Sequence, residues 1–367
     1  SRNGKRTTPN TLDLQRLKIQ NLRNISDAEI FPSDKLNIIT GANGAGKTTF
    51  LEAIYLLART RSFRQSQNRT LIKSGEESLT IFSELNAESG TMYRIGLSKS
   101  REGTTVHKDR KKITKLSELA RSLPLTIITP NIQRIVEDGP VHRRKLLNWG
   151  MFHVEPFYAQ LAQRYNQAIS QRNRALSGNR EDLKVWTRQL VELGNQLNQL
   201  QQTYLEDWNQ SITELTESQE NGYRCRLELY SGWRKGVSFA QALDELTQTD
   251  RDRGFTSAGP HRLDVKINVD QRGVKNYFSR GQNKLLALNL MLAQTKLLQS
   301  KQQERPILLV DDIQSELDQE RYFQVLQTIS DLQIQTFITD LKKNIGDAFE
   351  KDQFKMFHVE HGQFAEI

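Results

Sequence analysis

One cysteine, Cys225, stands in 367 residues. An intrachain disulfide and a thiolate zinc site are therefore excluded, and a reducing, cytoplasmic compartment is expected. Cys225 itself reads as a half-buried filler. Long apolar runs are also missing. The longest purely aliphatic stretch, Ile307–Val310, falls far short of the roughly 20 residues that a membrane helix needs, so no membrane partner is expected. Ser1–Arg6 is basic, but no apolar segment follows it, so a secretory signal is not expected; the missing initiator Met suggests a processed or cut terminus. Internal repeats and extended low-complexity segments are absent too. Acid is in deficit: 43 Asp and Glu face 52 Lys and Arg, leaving a formal charge of +9, with a pI near 9.5.

That excess of base favours a polyanion: nucleic acid, an anionic surface or a nucleotide. It gathers in three groups, Arg59/Arg61/Arg64/Arg69, Lys108/Arg110/Lys111/Lys112/Lys115 and Arg143/Arg144/Lys145. A hydrophobic content of 36% with a mean hydropathy of −0.64 supports a real but modest core.

Along the chain, alternating runs at Leu12–Ile19, Leu79–Leu85 and Met92–Leu97 and short apolar runs at Leu36–Ile39 and Leu125–Ile128 predict strands. Lys108–Lys112 reads as a basic turn between strands. From about 141 to 220 helical spacing takes over. Leu190, Leu193, Leu197, Leu200, Tyr204, Trp208, Ile212 and Leu215 form a stripe, read as one packed helix face rather than an intermolecular coiled coil. Ser177–Asn179 marks a turn between helices. Strands return at Tyr223–Tyr230 and Arg262–Val269, followed by a helix at 283–299, a strand at 305–310, a helix near 318–331, a strand at 334–339 and a terminal hairpin, Phe354–Glu360 with Gly362–Ile367. The expected organisation is an α/β ATPase lobe (1–130), a helical lobe (131–222) and a return to the first lobe (223–367).

The chemistry begins at Gly41-Ala42-Asn43-Gly44-Ala45-Gly46-Lys47-Thr48-Thr49, between a predicted strand and a predicted helix. Three glycines let consecutive N–H groups turn inward on a phosphate. Lys47 can reach the β- and γ-phosphate oxygens, the Thr48 hydroxyl can bind Mg²⁺, and the helix dipole adds to the anion site. These residues predict ATP binding. An aliphatic strand ending in acid, Ile307–Val310 then Asp311 and Asp312, is a Walker B pattern. Asp311 would support Mg²⁺, and Asp312 would stand beside the γ-phosphate and orient or deprotonate a water. Ser279-Arg280-Gly281-Gln282 precedes another helix, for which Ser279 is a cap. Its place shortly before the Walker B strand is that of the signature segment in ABC and SMC ATPases, and Ser315–Asp318 resembles their D-loop.

The ordered set resembles the RecF family of bacterial DNA-repair ATPases. Thr40–Thr49 with Leu51–Tyr55, Arg61–Arg64, Gly139-Pro140 with Arg143-Arg144, Gly259–Arg262, Ser279–Gln282 and Val310–Asp318 carry the resemblance, which runs from about residue 12 to the C-terminus. It implies an α/β ABC/SMC-type P-loop ATPase head with a mainly helical second lobe and no long coiled coil. It also implies an ATP-dependent homodimer in which Ser279, Gly281 and Gln282 of one subunit cap ATP held by Lys47 and Thr48 of the other. The family's partners would follow: double-stranded and gapped DNA at single-strand junctions, with RecR, RecO and RecA.

Some positions depart from that pattern. Asp312 stands where many such heads carry Glu, one methylene longer, so slow, weak hydrolysis is expected; that DNA stimulates it is what the resemblance implies. No His stands in the switch region Thr336–Asp340. Gln133, near the Q-loop position, reads as an ordinary surface residue, and His261, without a ligand partner nearby, as structural. Resemblance to SMC heads implies a nucleotide contact for Arg23; Arg61 and Arg64 fit a phosphate or inter-subunit role. A transport ATPase subunit would usually read Ser-Gly-Gly-Gln where Arg280 stands. A cohesin-type head needs hundreds of coiled-coil residues between Thr48 and Ser279. A small-molecule kinase has no need of Ser279–Gln282.

Overall fold

Period-two alternation organises the first third of the chain into antiparallel strands, and a run of buried aliphatics seeds a second, parallel sheet. The computed structural model describes residues 12–64, 71–87, 90–178, 180–219, 222–274, 278–302, 305–315, 317–341, 345, 349 and 353–367. Ser1–Arg6, Arg69, Asn179 and Glu316 lie outside them. The chain forms two compact units, Ser1–Ile132 with Leu298–Ile367, and Gln133–Leu297.

In the first unit the order is β1 (Leu12–Leu22), β2 (Ile25–Ile30), β3 (Leu36–Thr40), α1 (Lys47–Arg59), β4 (Ser78–Ala87), β5 (Met92–Ser100), β6 (Gly103–Lys108), β7 (Lys111–Lys112), α2 (Leu116–Ser122) and β8 (Leu125–Ile128). β4 alternates buried and half-buried positions along its whole length, as a strand with one face on the core must. β2 escapes sequence reading because Ser26, Asp27 and Glu29 break its pattern of buried positions. Pairing with β1, Leu17 to Ile30 through Leu22 to Ile25, imposes the strand.

The second unit holds α3 (Arg134–Glu137), α4 (Pro140–Val154), α5 (Tyr158–Ala175), α6 (Arg180–Glu217), β9 (Cys225–Tyr230), α7 (Phe239–Glu245), α8 (Thr247–Arg253), β10 (Asp264–Val269), β11 (Arg272–Gly273) and most of α9 (Arg280–Gln302). The stripe on α6 is core: Leu190, Leu193, Leu197, Tyr204, Trp208, Ile212 and Leu215 are buried. Where the sequence places the return to the ATPase lobe at 223, the chain stays with the helices until Leu297. The reason is local pairing. β9 and β10 form their own sheet with β11, and Asn209 of α6 clips it by donating to Leu227 O (2.8 Å) and accepting from Leu227 N (2.6 Å). Trp208 Nε1 and Ser211 Oγ donate to the carbonyls of Leu290 and Ala293 on α9. Cys225 is fully buried rather than half-buried, and burial pushes its thiol up to about 12, so it is inert. Gln133 is also buried, not a surface residue, because it opens α3 beside Ile132 and Val136 of the core.

The first unit resumes with β12 (Ile307–Asp311), α10 (Gln319–Asp331), β13 (Thr336–Asp340), β14 (Phe354–Glu360) and β15 (Gln363–Glu366). Its two sheets run β2-β1-β4-β5-β6-β7 and β15-β14-β3-β13-β12-β8. In the latter β14, β3, β13, β12 and β8 are mutually parallel. One core cluster joins α1 to both sheets, through Phe50, Leu51, Ile54 and Leu57 on the helix, Leu17, Ile81 and Leu97 on one sheet, and Ile39, Leu309 and Phe337 on the other. This packing anchors the helix that follows the glycine loop.

Candidate nucleotide site

β3 and β12 end side by side with β13 between them, so their carboxyl ends open on one crevice, where parallel sheets place ligands. Gly41 follows β3 at φ 154, and a side chain there would meet Val359 O at 2.4 Å. Only glycine lets the backbone pass under β14. Gly46 precedes α1 at φ 125 and supplies no side-chain cap, and the first turn carries no acid. The helix therefore starts with uncapped N–H groups and a positive dipole end that no acid in its own first turn offsets. Lys47, 8% exposed, folds its ammonium back onto Gly41 O (2.6 Å) and Ala42 O (3.0 Å). Burial pulls its pKa below the ordinary lysine value, while the charges of Asp312, Asp311 and Asp340 oppose that fall. A bound polyanion would repay the same desolvation more completely.

Behind the loop, Asp311 Oδ1 accepts from Thr48 Oγ1 and from Thr339 Oγ1, both at 2.9 Å. Burial raises the Asp311 carboxyl; the bonds from Thr339 and Thr48 and the charge of Arg64 lower it in part. Thr339 also accepts from Asp312 N at 3.0 Å, holding Asp312 at φ 41. A cavity of about 230 Å³ results, lined by Arg23, Asn24, Asn43, Gly44, Gly46, Lys47, Thr48, Thr49, Arg64, Asp312 and Thr339. Hydroxyl and carboxylate side by side are the oxygen donors a hard divalent cation takes, and the bare helix start and Lys47 suit phosphates.

The structure thus brings together all the loop residues expected here, with Asp311 and Asp312. Gly41, Ala42 and Ala45 shape the loop rather than line the cavity, and Ala45 O accepts from Gly362 N at 2.9 Å. Ser279, Gly281 and Gln282 belong to the second unit. There Ser279 N donates to Gln282 Oε1 (2.8 Å) and Gln282 N donates to Ser279 Oγ (3.3 Å), a capping box at the exposed start of α9. Arg23 pairs with the fully buried Glu52, Nη2 to Oε1 at 2.8 Å, and Ser62 Oγ donates to the same carboxylate. Asn24 Nδ2 donates to Gly44 O at 3.1 Å, so the β1–β2 turn grips the loop. Glu52 and the bridging role of Thr339 are not legible from the motifs; an acid inside the apolar run Phe50–Ile54 is the one available sign. His261 is structural: Tyr165 Oη donates to its Nδ1 at 2.9 Å, and its Nε2 donates to Thr256 O at 3.1 Å. Burial lowers its pKa, which keeps the ring neutral.

Residues 13–364 match the model of the RecF/RecN/SMC N terminal domain. The DNA replication and repair protein RecF of Shewanella oneidensis is 34% identical over 360 residues, covering 97% of this chain and all of that protein. The chain belongs to the RecF family. A second relative of the same name, from Shewanella sp. strain MR-7, is 35% identical over 361 residues, with 97% of this chain and 100% of that protein covered. Among solved structures, the recombination mediator protein RecF-ATP of the RecFOR pathway superposes with a TM-score of 0.83 at 26% identity, over 99% of this chain and 100% of that one. The Smc head domain of Pyrococcus furiosus gives 0.64 at 15% identity, over 97% and 96% of the two chains, a likeness of fold alone. This RecF-family chain is accordingly an ATPase head of the ABC/SMC type, and among the described residues no helix is long and apolar enough to cross a membrane.

In a RecF-type head, Thr339 would act through Asp311 and Asp312 rather than on the nucleotide. Thr339→Val keeps the shape but removes one hydroxyl that serves both acids. We expect about a 10- to 100-fold loss of turnover or of magnesium affinity, as for other residues that orient metal ligands, seen as a shifted magnesium midpoint in ATPase assays. Unchanged kinetics would reduce the two hydrogen bonds to incidental contacts.

Proposed function

We propose that this chain is an ATP-gated DNA-binding protein of recombinational repair and replication restart. ATP binds over residues 41–49, with Lys47 on its β- and γ-phosphates and Mg²⁺ held by Thr48 and Asp311. Mg²⁺ held there would supply charge stabilisation at the phosphate oxygens. Asp312 orients the attacking water. Ser279, Gly281 and Gln282 of a second copy cap the γ-phosphate, so two ATP molecules close two chains into a dimer. The dimer joins basic surfaces and sums their phosphate contacts on DNA, at gaps where single strand borders duplex. With RecR and RecO it helps to load RecA, in the cytoplasm. Hydrolysis is slow and acts as a switch, because Asp312 is short and fixed by its backbone.

The observation that carries this reading is the convergence of Lys47, Thr48, Asp311 and Asp312 at one crevice. Support comes from full-length relatives named for DNA replication and repair and from a superposable structure named RecF-ATP. The test is light scattering with and without ATP and magnesium, then duplex binding on the same samples, for wild type and Lys47→Met. A charge-assisted hydrogen bond is worth about 1.5–3 kcal/mol, so the variant should bind ATP roughly 10- to 100-fold more weakly and lose both the dimer and the DNA. Equal DNA binding by Lys47→Met in ATP would end the gating idea, as would a wild type that stays monomeric at saturating nucleotide.

A further inference from the structure

Of the three basic groups in the sequence, two are partly engaged within the fold, while their Arg61 and Lys145 are exposed and Arg69 lies outside the described residues. Arg143 donates to both Asp264 oxygens at 2.8 and 3.0 Å and to the carbonyls of Ile135 and Asp138; Arg144 donates to Leu263 O. Arg59 reaches Leu125 O, and Arg64 lines the nucleotide cavity. The remaining group is different. Arg110, Lys111, Lys112 and Lys115 are exposed, and none forms an ion pair among the described residues. Residues 108–115 hold five cations and one acid. Lys108, next to the turn, is held in place, with its ammonium over the Tyr93 ring at 4.8 Å and donating to Ser122 Oγ at 3.2 Å.

The turn at the tip is the second observation. Lys108 pairs with Lys111 and His107 with Lys112, leaving Asp109 and Arg110 as the two-residue loop, at φ 47 and φ 67. Positive φ at both positions is the type I′ pattern, for which Asn-Gly is the low-strain choice. Asp109 suits its place, accepting from Arg94 N at 2.9 Å. Arg110 occupies the position that glycine fills without strain. Lysines on an edge strand discourage strand addition, which accounts for Lys111 and Lys112 but not for a strained arginine beyond them. No Phe, Tyr or Trp lies between Gly103 and Lys115, so the hairpin offers no platform on which unpaired bases could stack.

From the exposed cations and the strained arginine together we infer that the β6–β7 hairpin is a contact for the phosphate backbone of duplex nucleic acid, without sequence readout. The inference rests on the DNA-binding reading above and names the surface that serves it. Arg110 and Lys112 meet phosphate oxygens, and each such contact releases condensed counterions.

The experiment uses the full chain with saturating ATP and magnesium and a fluorescent blunt duplex, and measures affinity across a salt series. The variants are Arg110→Gly, the triple Arg110→Gly/Lys111→Gln/Lys112→Gln, and Lys145→Gln as the comparator. Arg110→Gly should leave the thermal midpoint unchanged or raised. The slope of log affinity against log salt should become shallower by about 0.9 per phosphate contact removed, hence by about 1.8 in the triple variant, which removes both, while Lys145→Gln keeps the wild-type slope. A wild-type slope in the triple variant overturns the inference even if binding to vesicles of phosphatidylserine is lost, which would point to a lipid surface instead. A lowered midpoint in Arg110→Gly also overturns it, because the arginine would then be structural. A wild type that binds no duplex under these conditions sinks the DNA-binding reading itself, whereas wild-type binding with an unaltered triple variant sinks the hairpin alone.

Discussion

Replacing Asp312 with Asn is expected to cut ATP turnover about 10²–10⁴-fold, the usual worth of a positioned general base, while ATP binding survives. The backbone makes this substitution informative. Asp312 sits at φ 41, a conformation that Asn tolerates better than most residues, so the variant keeps the turn and its N–H bond to Thr339. Only the carboxylate charge is lost. Because that charge faces the cavity that holds Lys47, its removal should also tighten nucleotide binding. The ATP-bound dimer should accumulate and hold duplex DNA longer. Phosphate release, nucleotide titration and light scattering on one preparation separate these effects. Hydrolysis at the wild-type rate would remove Asp312 from the chemistry.

The second large effect concerns stability. Arg172 is fully buried, with its Nη1 donating to Asp250 Oδ2 at 2.7 Å and to Thr256 Oγ1 at 2.8 Å and its Nε to Thr187 at 3.2 Å. Asp250, equally buried, accepts from Ser257 through its second oxygen. Arg172→Leu would strand that carboxylate without its cation, at about 3–5 kcal/mol. For a unit of this size the thermal midpoint should fall by roughly 6–20 °C. The double variant Arg172→Leu/Asp250→Leu removes the orphaned charge and should recover much of the loss, since a buried pair is often replaceable by apolar groups. A double variant as unstable as the sum of the two singles would show that the pair is no coupled unit. Neither change should alter ATP affinity below the transition.

How much could be read in advance follows from how local each feature is. The phosphate loop is nine consecutive residues between a strand and a helix, and the aliphatic run before Asp311 is equally compact. The α6 stripe repeats at helical spacing, and all of its members except the half-buried Leu200 are buried in the structure. By contrast, β2 exists because β1 pairs with it, and α7 and α8 lie in a stretch whose sequence gave no strong period. Gln133 looks like any polar surface residue until its burial beside the core is seen.

Charge is where sequence and structure diverge most. Arg110 and Arg143 are indistinguishable as letters, both set among other cations. Arg143 meets Asp264, 121 residues further on, and Arg110 meets solvent. Arg23 finds Glu52, and Thr339 finds Asp311 across two adjacent strands. A sequence by itself determines what is set by neighbouring φ and ψ angles and short-period burial: here the glycine turn, the helix behind it, the acid at a strand end and the family. Pairing among distant ionisable groups depends on which side chains the packed core brings within about 3 Å. Only the tertiary structure decided which of this protein's cations are neutralised inside it and which remain free to meet a partner.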